Sequence, residues 1–214
     1  MSINHQQAKK IVREGYDKVS YKYQGDELAV DDEKYVLYQS WLESLHPYLK
    51  SGSSVLDLGC GCGLPACDIL SKNYQVTGID ISPVQIDRAQ NIFPNLEFIC
   101  GDICSHDFRE KSFDAIISLY SLIHVPTEEQ EGVLQKVYRL LKNDGVFLFI
   151  AGQEKWTGVE EDWLEVKGGT MYWSQMDRGQ YLELLNKLNF HLIWDKFIPE
   201  LDTGHCLFLA QKKT

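Results

Sequence analysis

The sequence has no long hydrophobic run. Its longest apolar stretches, such as Val146 to Ala151, fall far short of the ~20 residues that a membrane-spanning helix needs. It also lacks any cluster of Lys and Arg: 21 basic residues face 31 acidic ones, a formal net charge of −10. An acidic surface repels a polyanion, which argues against nucleic acid and anionic membrane as main partners. The start, Met1 to Lys10, is polar and shows no apolar secretory segment, so a soluble cytoplasmic protein is expected. No Cys-x-x-Cys pair occurs. Cys60, Cys62 and Cys67 straddle a strand-to-helix turn rather than a zinc knuckle, so buried free thiols and no metal are expected. Internal repeats, low-complexity tracts and a Ser-His-Asp or Cys-His nucleophile signature are missing as well.

What remains is material for one sizeable core, read as a single domain over 1–214. Residues 1–50 predict a helical cover; in Asp31 to Lys50 the residues Tyr35, Leu37, Tyr38, Trp41, Leu42, Leu45 and Leu49 recur at helical spacing, with Pro47 blurring the end. Over 54–151 short apolar runs alternate with amphipathic stretches. Strands are predicted at Val55–Leu58, Gln75–Ile79, Leu96–Cys100, Phe113–Leu119 and Val146–Ala151, and a helix at Pro83–Asn91. Pro65 suits the first turn of a helix after the first strand. A helix over Thr127–Leu141 is expected to be capped by Thr127 with Gln130 as its capping-box partner and ended by Asn143-Asp144-Gly145. This alternation argues for an α/β fold, an open and mostly parallel sheet with helices on both faces. In 152–214 an irregular aromatic-rich excursion to about residue 173 precedes a helix at about Asp177–Leu188. Two β-rich runs follow, His191–Ile198 and Cys206–Ala210, joined through Pro199–Gly204, a link short enough to make one strand antiparallel.

The densest chemical signal is Val55-Leu56-Asp57-Leu58-Gly59-Cys60-Gly61-Cys62-Gly63. Its glycines allow a sharp turn after a strand and let a ligand lie against bare main chain. The dinucleotide pattern G-x-G-x-x-G would need its third glycine at position 64, which is Leu. Val76-Thr77-Gly78-Ile79-Asp80 then sets an acid at the end of the next strand, suited to the hydroxyls of an unmodified ribose. Gly101-Asp102-Ile103 adds an acid able to accept from an adenine amine, and Phe113-Asp114-Ala115-Ile116-Ile117-Ser118 a fourth. Singly, each acid reads equally as a loop residue or helix cap. In sequence at successive strand ends, they line one crevice at the sheet's carboxyl edge.

With these motifs the chain resembles the class I S-adenosylmethionine-dependent methyltransferases, whose fold is Rossmann-like. V-L-D-L-G-C-G-C-G looks like the family's first motif, V-T-G-I-D its acidic second, and G-D-I its adenine loop. F-D-A-I-I-S resembles the fourth-strand motif, and L-L-K-N-D-G the turn before the fifth strand, with Asn143-Asp144-Gly145 where Pro-Gly-Gly is usual. Gly15-Tyr16-Asp17 with Tyr21 and Tyr23 is similar to the N-terminal cover of small-molecule members. Tyr120 to Pro126 and Met171-Tyr172-Trp173-Ser174 are also similar to family members. The resemblance implies that Asp57 and the Gly59, Gly61 and Gly63 backbone hold the methionine part of S-adenosylmethionine. Asp80 would hold the ribose, Ile81 pack on adenine, and Asp102 and Ile103 read its amine. Ser118 or Leu119 would contact the cofactor, and Tyr16 and Tyr23 close over it.

His124, after the fourth strand, is the candidate general base; the alternative is a histidine packing beside the following helix. Trp156, Trp163, Tyr172 and Trp173, with Tyr120, read either as an acceptor-binding lid or as a packed excursion. The Asp/Asn-Pro-Pro-aromatic motif of nucleic-acid amine methyltransferases is absent, and Ser118-Leu119-Tyr120-Ser121 stands there instead. The expected partner is therefore a small-molecule methyl acceptor, with S-adenosylhomocysteine as co-product. A non-catalytic S-adenosylmethionine-binding module, an NAD-dependent oxidoreductase and an aminopropyl transferase are the rival readings.

Overall fold

A computed structural model of the protein describes residues 3–200 and 203–213. Five strands form where the apolar runs predict them: β1 (Ser54–Leu58), β2 (Gln75–Asp80), β3 (Glu97–Cys100), β4 (Phe113–Ser118) and β5 (Leu141–Gly152). They pair in parallel in the order β3-β2-β1-β4-β5. The excursion at 152–173 is more regular than expected: β6 (Trp156–Glu160) and β7 (Met171–Gln175) form a separate antiparallel ribbon. The last strands, β8 (Phe190–Glu200) and β9 (Thr203–Lys212), complete a seven-stranded sheet, with β9 antiparallel to both β5 and β8. Of the expected Pro199–Gly204 link, residues 201 and 202 lie outside the described residues. The architecture is the Rossmann-like α/β class, an open and mostly parallel sheet with an antiparallel C-terminal strand.

Six α-helices accompany the described strands: α1 (His5–Tyr23), α2 (Glu33–Leu42), α3 (Ala66–Ser71), α4 (Pro83–Ile92), α5 (Thr127–Leu140) and α6 (Arg178–Lys187). Successive residues of a strand face opposite sides, so each central strand feeds two cores. Val55, Ala115, Ile117, Leu148 and Ile150 pack with Trp41, Leu42, Leu70 and Ile86 of α2, α3 and α4. Leu56, Ile116, Phe147 and Phe149 pack with Val133, Val137, Tyr181 and Leu185 of α5 and α6. Covered on both faces, these strands need apolar residues throughout. Helix α1 joins neither layer; its Ala8 and Val12 pack on Met171 and Tyr172 of β7. The Asp31–Lys50 pattern resolves into α2, capped by the Asp32 carboxylate accepting from the Lys34 N–H at 2.8 Å, and a single 3-10 turn at Glu43–Leu45. Pro65 precedes α3 as its cap residue rather than sitting inside its first turn.

The start and end of α5 differ from expectation. Pro126 occupies the cap position without a side-chain bond, and Thr127 donates its N–H to Ser174 Oγ at 3.1 Å. Gln130 is fully buried and serves tertiary structure instead of a capping box. Its Nε2 reaches the carbonyls of Leu122 (3.1 Å), Val125 (2.8 Å) and Ser174 (2.8 Å), while its Oε1 accepts from Tyr181 (2.7 Å). At the other end Leu141 is already extended and paired with Phe113, so Asn143-Asp144-Gly145 forms an irregularity inside β5 rather than a turn before it. Asp144 takes φ 61°, a left-handed conformation that Asp tolerates better than most residues.

Gln130 ties the segment after β4 to the β6–β7 ribbon. Replacing it with Leu takes a donor from the Val125 and Ser174 carbonyls and the acceptor from the Tyr181 hydroxyl proton, each unmet group costing ~1–3 kcal/mol. The Gln130→Leu variant is therefore expected to lose about 3 kcal/mol of stability in urea unfolding.

Candidate functional site

The site grows from the end of β1. The chain leaves β1 toward one side of the sheet and β4 toward the other, which opens a crevice where the two diverge. Gly59 takes φ +75° and Gly61 φ +54°, conformations that side chains resist. A Cβ on Gly59 would strike Ser121, whose hydroxyl donates to the Leu58 carbonyl and closes the turn against the loop after β4.

The crevice has two lobes, one on each side of this turn. The larger encloses about 680 Å³, its open mouth included, with Asp80, Ile81, Asp102, Ile103 and Leu119 among its walls. Asp80 hangs at the end of β2 and accepts from the N–H groups of Gly61 and Ser82, both at 2.9 Å. Burial, partly offset by those bonds, raises its carboxyl pKa to about 6. The smaller lobe lies beside Asp57, with Tyr38, Cys62 and Lys34 in its walls. Asp57 is buried, its carboxylate touched by the Cys67 thiol at 3.5 Å; burial raises it to about 7 despite that bond. Among the described residues no salt bridge reaches Asp57 or Asp80. Both lobes share Tyr23, Gly59, Gly61, Gln85 and Leu119, so one elongated ligand can lie across the turn.

Helix α1 covers the crevice through bonds to the segments after β2, β3 and β4. Lys9 reaches Asp102 (2.9 Å) beyond β3 and Glu129 (2.9 Å) on α5. Asp17 accepts from Ser82 Oγ (2.6 Å) beyond β2, and Ser20 donates to Gln85 (2.9 Å). Tyr16 Oη lies 2.9 Å from His124 Nε2. Asp102 therefore lines the larger lobe with both oxygens engaged, one by Lys9 and the other by the Cys104 N–H at 2.8 Å. Although burial opposes it, the Lys9 pairing holds Asp102 below the usual carboxylate range.

His124 is buried, and its ring state follows from its neighbours. Nδ1 sits 2.8 Å from the Tyr172 carbonyl, which can only accept, so Nδ1 carries the proton and Nε2 accepts from the Tyr16 hydroxyl. Burial lowers the imidazole pKa to about 4 although the Tyr172 bond pulls the other way, so the ring is neutral at pH 7. The expected free base is thus a buried acceptor joined to Tyr16.

Outside the crevice an open aromatic chamber of about 1120 Å³, mouth included, shares Tyr16, Tyr23, Tyr120 and His124 with the larger lobe. Trp163 and Trp173 stand in its wall. Tyr172 does not: it is buried between β7 and α1 and reaches the site only through its carbonyl. Trp156 lines a different groove, beside Phe197, and is 48% exposed. Ser118 is buried behind Ser121, with their hydroxyls 2.6 Å apart, so Ser121 faces the larger lobe. Gly63 touches neither lobe; a Cβ there would press on Phe93 at 2.9 Å. Asp114 sits at the opposite end of β4, where it accepts from the Ser54 N–H (2.8 Å) and Lys142 (2.7 Å). Lys9, Gln85, Cys104 and Ser121 line the larger lobe without a sequence signal of their own, apart from the Ser82-x-x-Gln85 cap spacing. The cysteines are all free thiols, and among the described residues no three His, Cys, Asp or Glu side chains are placed to hold a metal ion. No helix among the described residues is long and apolar enough to cross a membrane.

Comparison with known proteins matches this geometry. Residues 55–145 fit the methyltransferase domain family. A sterol 24-C-methyltransferase of Pneumocystis carinii is 38% identical over 111 residues, covering 49% of this chain and 29% of that protein. The matched stretch is thus less than a third of that curated relative's length. Among solved structures, an S-adenosylmethionine-dependent methyltransferase of Methanosarcina mazei superposes with a TM-score of 0.70 at 23% identity, over 79% of this chain and 97% of that one. The 1,6-didemethyltoxoflavin N1-methyltransferase of Burkholderia thailandensis, solved with its substrate and S-adenosylhomocysteine, gives 0.74 at 17% identity, over 100% and 92%. The fold is shared along the whole chain, while the sequence likeness concentrates on the strands and turns that build the crevice. By that match residues 55–145 are similar to the methyltransferase domain family, and the chain has the fold of solved S-adenosylmethionine-dependent methyltransferases.

Proposed function

We propose that this chain, acting as one domain, is a cytoplasmic S-adenosylmethionine-dependent methyltransferase for a small-molecule acceptor rather than nucleic acid. The observation that carries the reading is the continuity of a two-lobed crevice with an aromatic chamber at Tyr16, Tyr23, Tyr120 and His124. The donor set suits the cofactor. Asp57, buried without a basic partner, offers a carboxylate to the ammonium of the methionine part, across the bare backbone of Gly59 and Gly61. Asp80 keeps lone pairs for ribose hydroxyls while its N–H donors fix its orientation. Ile81 and Ile103 give adenine apolar walls. When bound, S-adenosylmethionine supplies an electrophilic methyl group on a sulfonium sulfur.

The chain's own part is to exclude water, to orient the acceptor and to manage a proton. Fixing a nucleophile in line with its target contributes ~7–11 kcal/mol when the geometry is good. Tyr16 and Tyr23 meet edge to face with centroids 5.6 Å apart and separate the crevice from the chamber. Because His124 Nε2 holds the Tyr16 hydrogen, the lone pairs of the Tyr16 oxygen are free to accept a proton from the acceptor as its own passes to His124. Free thiols throughout the chain suit a reducing compartment.

Calorimetric titration with S-adenosylhomocysteine is expected to show micromolar binding, weakened at least tenfold in Asp80→Asn, with NADH not bound. NADH binding without S-adenosylhomocysteine binding would overturn the reading. The affinity should be highest well above pH 7 and fall as pH drops through about 7 and then about 6, where first Asp57 and then Asp80 gain a proton. Each of these protons contributes a slope of at most about tenfold per pH unit. With any acceptor that the wild type methylates, His124→Gln should reduce turnover about 10²-fold or more. Its affinity for S-adenosylhomocysteine should stay unchanged. Equal turnover would leave His124 with the sole task of holding β7.

A further inference from the structure

The aromatic chamber has a charged feature that cofactor binding does not use. Glu200, at the end of β8, faces it with both oxygens fixed: Tyr120 donates to Oε1 at 2.6 Å, and His205 Nδ1 to Oε2 at 3.1 Å. Tyr120 reaches this position from a left-handed backbone at φ 62°, which turns the chain sharply just beyond β4. Burial works against the carboxylate, but those two bonds outweigh it and hold Glu200 below the usual range. Among the described residues no Lys or Arg forms a salt bridge with it. Besides two histidines, the charged groups in the chamber wall are Glu33, Glu200 and Lys34, two carboxylates against one ammonium. The Lys34 ammonium is turned toward Gln24 Oε1 (2.8 Å) and rests 4.8 Å from the centre of the Tyr23 ring. One aromatic ring of this chamber thus already carries a cation.

Two further ring pairs form corners, while Tyr38–Trp41 and Trp41–Tyr120 are tilted at 38° and 48°. Tyr16 and Trp163 meet at 83° with centroids 5.7 Å apart, and Trp163 and Trp173 at 85° and 5.5 Å. Rings set edge to face leave open π surfaces, which attract cations by roughly 0.5–2 kcal/mol each. A carboxylate with no Lys or Arg paired to it, inside aromatic walls, is the recognition chemistry of an amine.

We infer that the acceptor is a small amine, recognised by Glu200 and the surrounding rings and methylated on nitrogen; this rests on the methyltransferase reading above. The charge flow fits. The lone pair of the neutral amine forms the new N–C bond while the C–S bond breaks and its electron pair returns to sulfur, leaving a neutral thioether. The positive charge moves onto nitrogen, and a primary or secondary amine then releases one proton to the Tyr16 oxygen as the Tyr16 proton passes to His124. Charge therefore develops on the chamber side as the reaction proceeds, so Glu200 and the rings bind the transition state more tightly than the neutral nucleophile. An oxyanion or thiolate nucleophile would instead meet the Glu200 and Glu33 carboxylates and be repelled.

The test uses the full-length protein saturated with S-adenosylhomocysteine, titrated at pH 7.5 with phenethylamine and, separately, with its neutral counterpart 2-phenylethanol. The amine is expected to bind roughly tenfold or more tightly than the alcohol. Glu200→Gln keeps an oxygen for the Tyr120 hydroxyl and should abolish that preference while leaving S-adenosylhomocysteine affinity unchanged. Equal binding of amine and alcohol, absence of amine binding, or a preference that survives in Glu200→Gln would overturn the inference. Failure of S-adenosylhomocysteine itself to bind is a separate readout and would count against the methyltransferase reading.

Discussion

A parallel sheet whose connections reverse direction must leave a gap where they part, and in this protein the gap lies between β1 and β4. Everything functional is arranged around the polar rim of that gap. The turn after β1 can close only because Gly59 accepts a left-handed backbone and brings no Cβ against Ser121. Asp80 then braces the turn from β2 through the Gly61 N–H. Strand ends cannot cover themselves, so the lid comes from elsewhere in the chain: α1 from the N-terminal side and the β6–β7 ribbon from the C-terminal side. His124 links the two covers, with Tyr16 of α1 on one ring nitrogen and the Tyr172 carbonyl of β7 on the other.

The electrostatics follow from the same arrangement. Asp57 and Asp80 are buried carboxyls without basic partners, and burial raises both. Such groups weigh on the empty protein, since the charged form is disfavoured until a cation or a set of hydrogen-bond donors arrives. Asp102 differs because Lys9 crosses from α1 to meet it, with Glu129 on the far side of the same ammonium. One acid row thus divides into positions that await a ligand and one that fastens the lid. Glu200 extends the pattern into the chamber, held by Tyr120 and His205, with no Lys or Arg salt bridge among the described residues.

Much of the core was legible from local rules. Alternating apolar runs and amphipathic stretches located all five parallel strands, because strands covered on both faces must be apolar. The short link after Pro199 implied an antiparallel partner, and β9 supplies it. The excursion after β5 was less legible. Trp156 to Glu160 pairs with Met171 to Gln175 only because the chain doubles back, and the exposed pattern of β6 carries no alternation to reveal it. Gln130 looked like a capping partner by spacing alone. Its amide turned inward because three carbonyls, on two separate segments, converge within its reach.

By itself the sequence determined the order of the elements, the glycine turn and the acids at the strand ends, since each depends on residues near one another along the chain. It also carried the family resemblance, which rests on those same local motifs. Only the tertiary structure decided which of those acids are free and which are engaged, because Lys9 meets Asp102 across 93 positions of chain. In the same way it separated Trp163 and Trp173, which wall the chamber, from Tyr172, which is buried against α1, and from Trp156, which faces another groove. Aromatic residues look alike along a chain, and which face of a short ribbon each one occupies is settled by what packs on the other side.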